Sequence, residues 1–322
     1  MKKFLFHIGC FVLPLLVLAY PADLVLSKYL KQSHPYSDEY SVWNAIYEGK
    51  LNAEILVYGS STAWVQVNPQ SIADSLHRRV YNLGMDGHNF QLQYLRHKQV
   101  LKYNPPPKLI IQTLDALTLQ RRPDLFNQDQ FLPYMLFNKD LKNATANYKG
   151  YKPVDFQVPL VRYYGKRKAI STAAELSLPA TGEAPVRVLG FQAQNKVWNN
   201  DLSAARNLME KYTVQMDSAS IQLFDRYLQE CREKHIQLVF LYSPEFIVGQ
   251  QFISNREDVI ALYEKFSRKY GIPFYNYSTD PLTRDRNNYY NGLHLNKQGA
   301  SKLTSKLIHD LQQQAGLNRC FN

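Results

Sequence analysis

Short apolar runs alternate with stretches of helical spacing along most of the chain beyond residue 50. Five runs have the length of buried strands, at residues 55–58, 80–83, 109–114, 238–242 and 272–277. The stretches around them predict helices at residues 69–79, 89–103, about 221–231, from 254 and about 300–311. Ser254 and Glu257 have the spacing of a capping box that opens the fourth of these helices. The alternation predicts an α/β fold with a parallel five-stranded sheet covered on both faces.

The N-terminal segment has a different pattern. Lys2 and Lys3 precede an apolar run over residues 4–26, which approaches the ~20 residues needed to span a bilayer. No small-x-small cleavage site follows, because Tyr20 and Pro21 occupy critical positions. We therefore expect residues 1–30 to form an uncleaved signal anchor, a transmembrane helix, with a cleaved signal peptide or a buried helix as alternatives. Positive charge before the run predicts a cytoplasmic N-terminus and an extracytoplasmic body at residues 31–322.

A stretch from about residue 116 to residue 216 interrupts the alternation of strands and helices. It is rich in aromatic residues and carries 14 Lys and Arg against 8 Asp and Glu, a net charge of 14 − 8 = +6. A structureless loop of this size is uncommon, so we expect an inserted cap or subdomain. Its two open interpretations are a lid that attracts an anionic partner and a solvated insertion with a small aromatic core.

Composition narrows the class of protein. Hydrophobic residues make up 45% of the 322 residues, which excludes a disordered chain. The net charge of +11 suggests an anionic neighbour such as a membrane surface, a glycan or a nucleic acid. No nucleic-acid recognition motif is visible, and the anchor places the body on the wrong side of the membrane for that partner. Three cysteines without a C-x-x-C pair predict neither a disulfide scaffold nor a metal site, and no cofactor is expected.

Three loop segments carry candidate chemistry. Ser61, in Gly59-Ser60-Ser61 after the first predicted strand, is placed to present a hydroxyl and a backbone N–H to a carbonyl carbon and oxygen. Gly87 follows the second strand and allows close backbone approach to an oxyanion. His294, just before the last helix, is placed to act as a general base. Each segment also has a plain structural interpretation, as a helix cap, a turn glycine and a surface histidine.

The order of these segments resembles the SGNH/GDSL hydrolase family over nearly all of residues 51–313 apart from the insertion. The resemblance implies a flavodoxin-like three-layer fold, with Ser61 as nucleophile, His294 as base, and the N–H groups of Ser61 and Gly87 as oxyanion donors. Together with the apolar N-terminus, the chain resembles the membrane-anchored branch, whose members serve D-alanyl transfer or assist membrane-bound O-acyltransferases.

Two positions depart from the pattern of that family. Asn291 stands where the family has the Asp that supports the histidine, and Asp280 and Asp285 are alternative sources of that carboxylate. Asp115 stands in the place of the family's third-block Asn, and an ionised carboxylate there repels a developing oxyanion.

The resemblance implies an extracytoplasmic serine esterase or O-acyltransferase, acting on ester groups of an acylated envelope glycan or carrier. Ser61, His294 and Asn291 are the predicted catalytic residues, and Ser61, Gly87 and Asp115 the predicted oxyanion site. The alternative function is a catalytically weak or inactive binding partner of a membrane-bound O-acyltransferase.

Overall fold

The computed structural model describes residues 2–32, 38–87, 89–178 and 187–314, so His88 and Cys320 lie outside the described residues. The chain divides into two compact units. One comprises Met1–Asn44 and Pro123–Val186, and the other comprises Ala45–Arg122 and Arg187–Asn322. The predicted insertion at about 116–216 is therefore shared between the units, with its central part in the first and its two ends in the second.

The described residues form five strands and a series of α-helices. The strands are β1 (Ile55–Tyr58), β2 (Val80–Asn82), β3 (Leu109–Leu114), β4 (Gln237–Tyr242) and β5 (Phe274–Asn276). The helices are α1 (Lys2–Lys31), α2 (Asp38–Tyr47), α3 (Ser61–Gln66), α4 (Pro69–Leu76), α5 (Phe90–Tyr103), α6 (Lys139–Thr145), α7 (Arg167–Leu176), α8 (Asp201–Leu208), α9 (Ser218–Glu233), α10 (Ile247–Phe252), α11 (Arg256–Tyr270) and α12 (Lys297–Gln313).

The strands form one sheet in the order β2-β1-β3-β4-β5, and every neighbouring pair is parallel. Alternate residues of β4 point to opposite faces. Val239 and Leu241 belong to a core shared with α4 and α12, whereas the Phe240 ring packs against Phe224 of α9. The predicted α/β fold with a parallel five-stranded sheet is thus confirmed, and the loops after the strands meet at one edge.

The start of α11 differs from the sequence expectation. The helix begins at Arg256 after Asn255, and the Ser254 hydroxyl donates to the Tyr212 carbonyl oxygen instead of capping the helix. The Glu257 carboxylate accepts a hydrogen bond from the Arg256 guanidinium and does not bond to Ser254. The capping-box prediction was wrong because the helix is capped at Asn255, one residue later than a box at Ser254 and Glu257 requires. The Ser254 hydroxyl bonds to a residue distant in sequence, whereas Glu257 pairs with its neighbour Arg256.

The unit that contains α1 has a buried polar junction. Asp23 of α1 is fully buried and accepts hydrogen bonds from Arg162 Nη1 at 2.7 Å and Nη2 at 2.6 Å. The Leu160 N–H donates to the same carboxylate at 2.7 Å, and Ser27 contacts Tyr163 at 2.9 Å. Arg162 Nε also donates to a backbone carbonyl, so nearly all polar atoms of this pair have partners. The C-terminal half of α1 is therefore an integral part of this unit.

The N-terminal half of α1 exposes its large apolar side chains to a much greater degree than the C-terminal half does. Phe4, Phe6, Leu13, Val17 and Leu18 each have more than 60% of their surface exposed. Residues Val12–Lys31 are long and apolar enough to cross a membrane, a property that a signal sequence shares. The predicted N-terminal apolar helix is confirmed.

Candidate active site

The turn after β1 is shaped by a glycine. Gly59 has φ +146°, and a Cβ atom there would lie 1.8 Å from the Thr113 hydroxyl oxygen of β3. The chain can therefore turn tightly only with glycine at this position. Ser60 then caps α3 by accepting the Thr62 N–H at 3.3 Å. Ser61 is the first residue of α3, so its backbone N–H has no partner within the helix.

The loop after β2 is tied to the same turn. The Asn82 amide donates to carbonyl oxygens of α3 and of the residue after it, and its oxygen accepts the Gly84 N–H at 2.8 Å. A Cβ atom on Gly84 would lie 2.3 Å from the Trp64 backbone nitrogen. The Met85 N–H donates to the Gly59 carbonyl oxygen at 2.9 Å. These contacts hold the β1 and β2 loops together at one edge of the sheet.

Gly87 lies in this second loop with φ +68°, in the conformation that favours glycine. Its carbonyl oxygen accepts a hydrogen bond from Arg122 Nη1 at 2.6 Å. The structure places Gly87 two residues beyond the contact between Met85 and Gly59, and the role of its N–H as an oxyanion donor stays a prediction.

His294 reaches the β1 turn from the opposite end of the sequence. Its loop leads into α12, where the Asn296 side chain caps the helix by accepting the Gly299 N–H at 3.1 Å. A Cβ atom on Gly299 would lie 2.2 Å from the Asn288 carbonyl oxygen, so the helix start packs tightly against the preceding loop. This placement brings His294 Nε2 to 2.7 Å from Ser61 Oγ.

Asn291 determines which imidazole nitrogen carries the proton. The Leu293 and His294 backbone N–H groups both donate to Asn291 Oδ1, at 3.0 and 2.9 Å, which identifies that atom as the amide oxygen. His294 Nδ1 lies 3.0 Å from the same oxygen and must donate to it. In the neutral ring, Nε2 is then the acceptor and receives a hydrogen bond from the Ser61 hydroxyl. The three residues form a directed hydrogen-bond chain.

Asp201 extends this chain by one residue. The Asn291 Nδ2 group donates to Asp201 Oδ2 at 3.4 Å. The same carboxylate oxygen accepts a hydrogen bond from the Asn199 amide at 2.7 Å. Asp201 is the first residue of α8 and lies in the second compact unit, as do the other members of the chain.

Aromatic and charged groups surround the imidazole. The Tyr290 ring stacks on the His294 ring, with centroids 5.4 Å apart and planes 7° apart, and Lys196 Nζ lies 5.2 Å from the Tyr290 centroid. Burial lowers the pKa of the His294 imidazole to about 4, opposed by the charge of Asp115 and, more weakly, of Asp201. His294 is thus neutral at pH 7 and available as a proton acceptor.

Asp115 lies beside the candidate nucleophile but bonds to its neighbours. Its Oδ2 accepts the Ser60 hydroxyl at 2.5 Å and the Thr62 hydroxyl at 3.4 Å, while its Oδ1 accepts the Leu117 N–H at 2.8 Å. These contacts fix the first turn of α3, in which Ser61 lies. The oxyanion role of Asp115 stays a prediction.

The alternative carboxylates bond to other groups. The Asp280 side chain accepts the Leu282 N–H at 2.9 Å and pairs with Lys306 at 3.1 Å. The Asp285 side chain accepts the Asn287 N–H at 3.1 Å. The Asn291 side chain, not either of these, contacts the far nitrogen of His294.

Sequence reasoning missed two contributors to this site. Ser60 was part of the noted turn, but nothing local assigns it to Asp115. Asp201 lies in the irregular stretch before residue 216 and has no motif around it, so no sequence signal identifies it. Within the described residues, no group of three or more His, Cys, Asp or Glu side chains is arranged to hold a metal ion.

Comparisons with known proteins add a remote structural likeness. No protein-family model matches the chain, and no curated protein is a significant match. Among solved structures, it is similar to a candidate acylhydrolase from Bacteroides fragilis NCTC 9343, with 12% identity, 84% of this chain and 94% of the other covered, and a TM-score of 0.34. It is also similar to a GDSL-like lipase from Bacteroides thetaiotaomicron VPI-5482, with 11% identity, coverage of 88% and 98%, and a TM-score of 0.36.

Proposed function

We propose that this protein is an SGNH/GDSL-type serine esterase or O-acyltransferase. The observation that carries the proposal is the 2.7 Å contact between Ser61 Oγ and His294 Nε2, with His294 Nδ1 held by Asn291 Oδ1. A nucleophile, a base and a group that orients the base are the three parts of an activated serine. All three lie at the edge of the sheet where the loops after β1 and β2 meet.

The reaction follows from this geometry. Ser61 Oγ attacks the carbonyl carbon of an ester while its proton passes to His294 Nε2. The carbonyl oxygen becomes an oxyanion, for which the Ser61 backbone N–H and the Gly87 N–H are the proposed donors. Collapse of this intermediate expels the alcohol, which takes the proton from Nε2, and leaves an acyl group on Ser61. Water or a sugar hydroxyl then repeats the sequence and removes the acyl group.

Asn291 makes this chemistry weaker than a carboxylate would. Its amide oxygen selects the productive tautomer but brings no charge to stabilise the imidazolium ion. In serine proteases, a different class of protein, replacing the triad Asp by Asn lowers kcat about 10⁴-fold, mainly because it favours the wrong tautomer. Here the two backbone donors keep the amide oxygen turned toward His294, so the tautomer is correct and the loss should be smaller.

Covalent labelling tests the proposal. A fluorophosphonate should label the full-length protein, and Ser61→Ala should abolish labelling. Ser301→Ala, at an exposed position of α12, is the matched control and should label like the wild type. A protein that shows correct folding, no labelling and no hydrolysis of simple acetyl esters would contradict the proposal.

We further propose that the enzyme acts outside the cytoplasm, anchored by α1, on ester groups of a cell-envelope glycan or carrier. The support is the exposed apolar N-terminal half of α1 and the buried pair between Asp23 and Arg162. The pair ties the C-terminal half of α1 to the folded unit, so the exposed N-terminal half is the part left to enter a bilayer. A retained anchor predicts that the membrane-bound protein has the mass of the whole chain, 37.4 kDa. A mature protein that begins after residue 19 or 22 would contradict the anchor.

A second candidate function is a binding partner of a membrane-bound O-acyltransferase. The observation that favours it is Asp115, whose two carboxylate oxygens accept hydrogen bonds at the place where the resembling family has an amide. This function predicts that cells with Ser61→Ala keep normal envelope acylation, whereas loss of α1 abolishes it. The esterase or acyltransferase function predicts loss in both cases.

A further inference from the structure

The directed chain of hydrogen bonds does not end at Asn291. The amide group of Asn291 has two ends, and each contacts a different part of the site. Its oxygen accepts the His294 Nδ1 proton at 3.0 Å, and its nitrogen donates to the Asp201 carboxylate at 3.4 Å. Because the backbone donors of Leu293 and His294 fix the oxygen, the nitrogen can only face the opposite side. The amide therefore links a carboxylate to the imidazole.

We infer that Asp201 is a positioning residue that works through Asn291, supplying the negative charge that the amide lacks. This inference rests on the proposed serine chemistry. An amide polarised by a carboxylate at its nitrogen has a more negative oxygen, because hydrogen bonds in a chain polarise one another. The more negative oxygen holds the Nδ1 proton more strongly and stabilises the imidazolium ion that forms when Ser61 loses its proton.

The surroundings of Asp201 agree with this role. Asp201 begins α8, and its backbone N–H donates to the Asn199 side-chain oxygen at 3.1 Å, so its position does not depend on Asn291 alone. The Asn199 N–H in turn donates to the Tyr290 carbonyl oxygen at 2.8 Å, which ties this segment to the His294 loop. Leu202 of α8 also packs near Gly292, which lies between Asn291 and His294 in the sequence.

Other charged groups near His294 set the background for this effect. Asp115 raises the pKa of the imidazole and Lys196 lowers it, while Asp201 raises it more weakly. Tyr290, stacked on the ring, has a pKa raised chiefly by burial and stays neutral. Because Asp201 is exposed, solvent screens its charge, and we expect its removal to slow labelling of Ser61 about two- to fivefold.

The test measures the rate of fluorophosphonate labelling of the full-length protein in detergent. Asp201→Asn should slow labelling about two- to fivefold on the pH-independent plateau and move the acid limb to lower pH. Asp258→Asn, which removes the same charge from an exposed position of α11, should change neither. In an Asn291→Ala background, Asp201→Asn should not slow the plateau rate further, because the hydrogen-bond connection to His294 is already lost.

A double variant separates positioning from simple structural support. Asp201→Asn combined with Asn291→Asp exchanges the carboxylate and the amide, and should label faster than either single variant. Asn291→Asp alone places two carboxylates in contact and should not reach that rate. Equal slowing by Asp201→Asn with or without Asn291, or no gain in the exchanged variant, would overturn the role of Asp201. Absence of labelling in the wild type would instead refute the serine chemistry itself.

Discussion

The pH dependence of Ser61 labelling is the sharpest consequence of the site geometry. Burial lowers the pKa of His294 to about 4, from an ordinary value of about 6.5. The neutral imidazole is the form that accepts the Ser61 proton, so labelling should follow the neutral fraction. We expect the rate to be nearly constant from pH 8 down to about pH 5 and to fall only near pH 4.

The size of the effect follows from the two pKa values. At pH 5.5 a histidine with a pKa of about 4 is about 97% neutral, whereas one with a pKa of about 6.5 is about 9% neutral. The ratio of the rates at pH 5.5 and pH 8 should thus be close to one, about tenfold above the ratio for an unperturbed histidine.

The assay uses short exposures of the full-length protein to a fluorophosphonate at a series of pH values, with in-gel detection of the labelled chain. Circular dichroism at each pH verifies that the fold persists. Intrinsic reactivity of the reagent is corrected with an unrelated serine hydrolase of known pH profile. An inflection near pH 6.5 would refute the reasoning, because it would mean that His294 titrates as an exposed residue.

Three further predictions concern stability. Ser60→Ala removes the cap of α3 and should lower stability by about 1 kcal/mol, seen as a lower Tm, while also slowing labelling. Burial lowers the pKa of His97 to about 4, below its unfolded value of about 6.5, so its contribution to stability falls as the pH drops below 6.5. Between pH 7 and pH 5 the loss of stability is about 2 kcal/mol. His97→Phe should remove this loss from the pH dependence of Tm. Arg162→Met leaves Asp23 buried without its cation and should lower the free energy of unfolding by about 3–5 kcal/mol, seen as faster proteolysis within residues 123–178. Adding Asp23→Leu should restore most of the resistance to proteolysis.

The sheet could be predicted from the sequence because its signal is local. The residues of β1 form a continuous apolar run and β3 begins with one, and such runs recur at the spacing of strands connected by helices. The observed ends differ from the expected ones by few residues, as at β5, which is restricted to Phe274–Asn276 within the predicted 272–277. The ends of a strand depend on its pairing with a neighbouring strand, and a single run of residues carries no information on that pairing.

The nucleophile and the base could be proposed because each follows or precedes a recognisable element. Ser61 follows a strand and a glycine, and His294 precedes the last helix. Their contact at 2.7 Å joins residues 233 positions apart, which only the assembled parallel sheet brings together. The sequence left three acidic or amide groups as possible supports for the imidazole, and the structure shows that Asn291 is the one in contact.

Asp201, Ser60 and the pair formed by Asp23 and Arg162 were decided by tertiary structure alone. No sequence motif around these residues indicates their partners. Asp201 acquires its significance from an amide 90 residues away, and Asp23 from a guanidinium 139 residues away. The periodicity of apolar residues determines which elements form, since it acts over a few residues. The partners of polar side chains depend on how those elements pack, and that information is distributed over the whole chain.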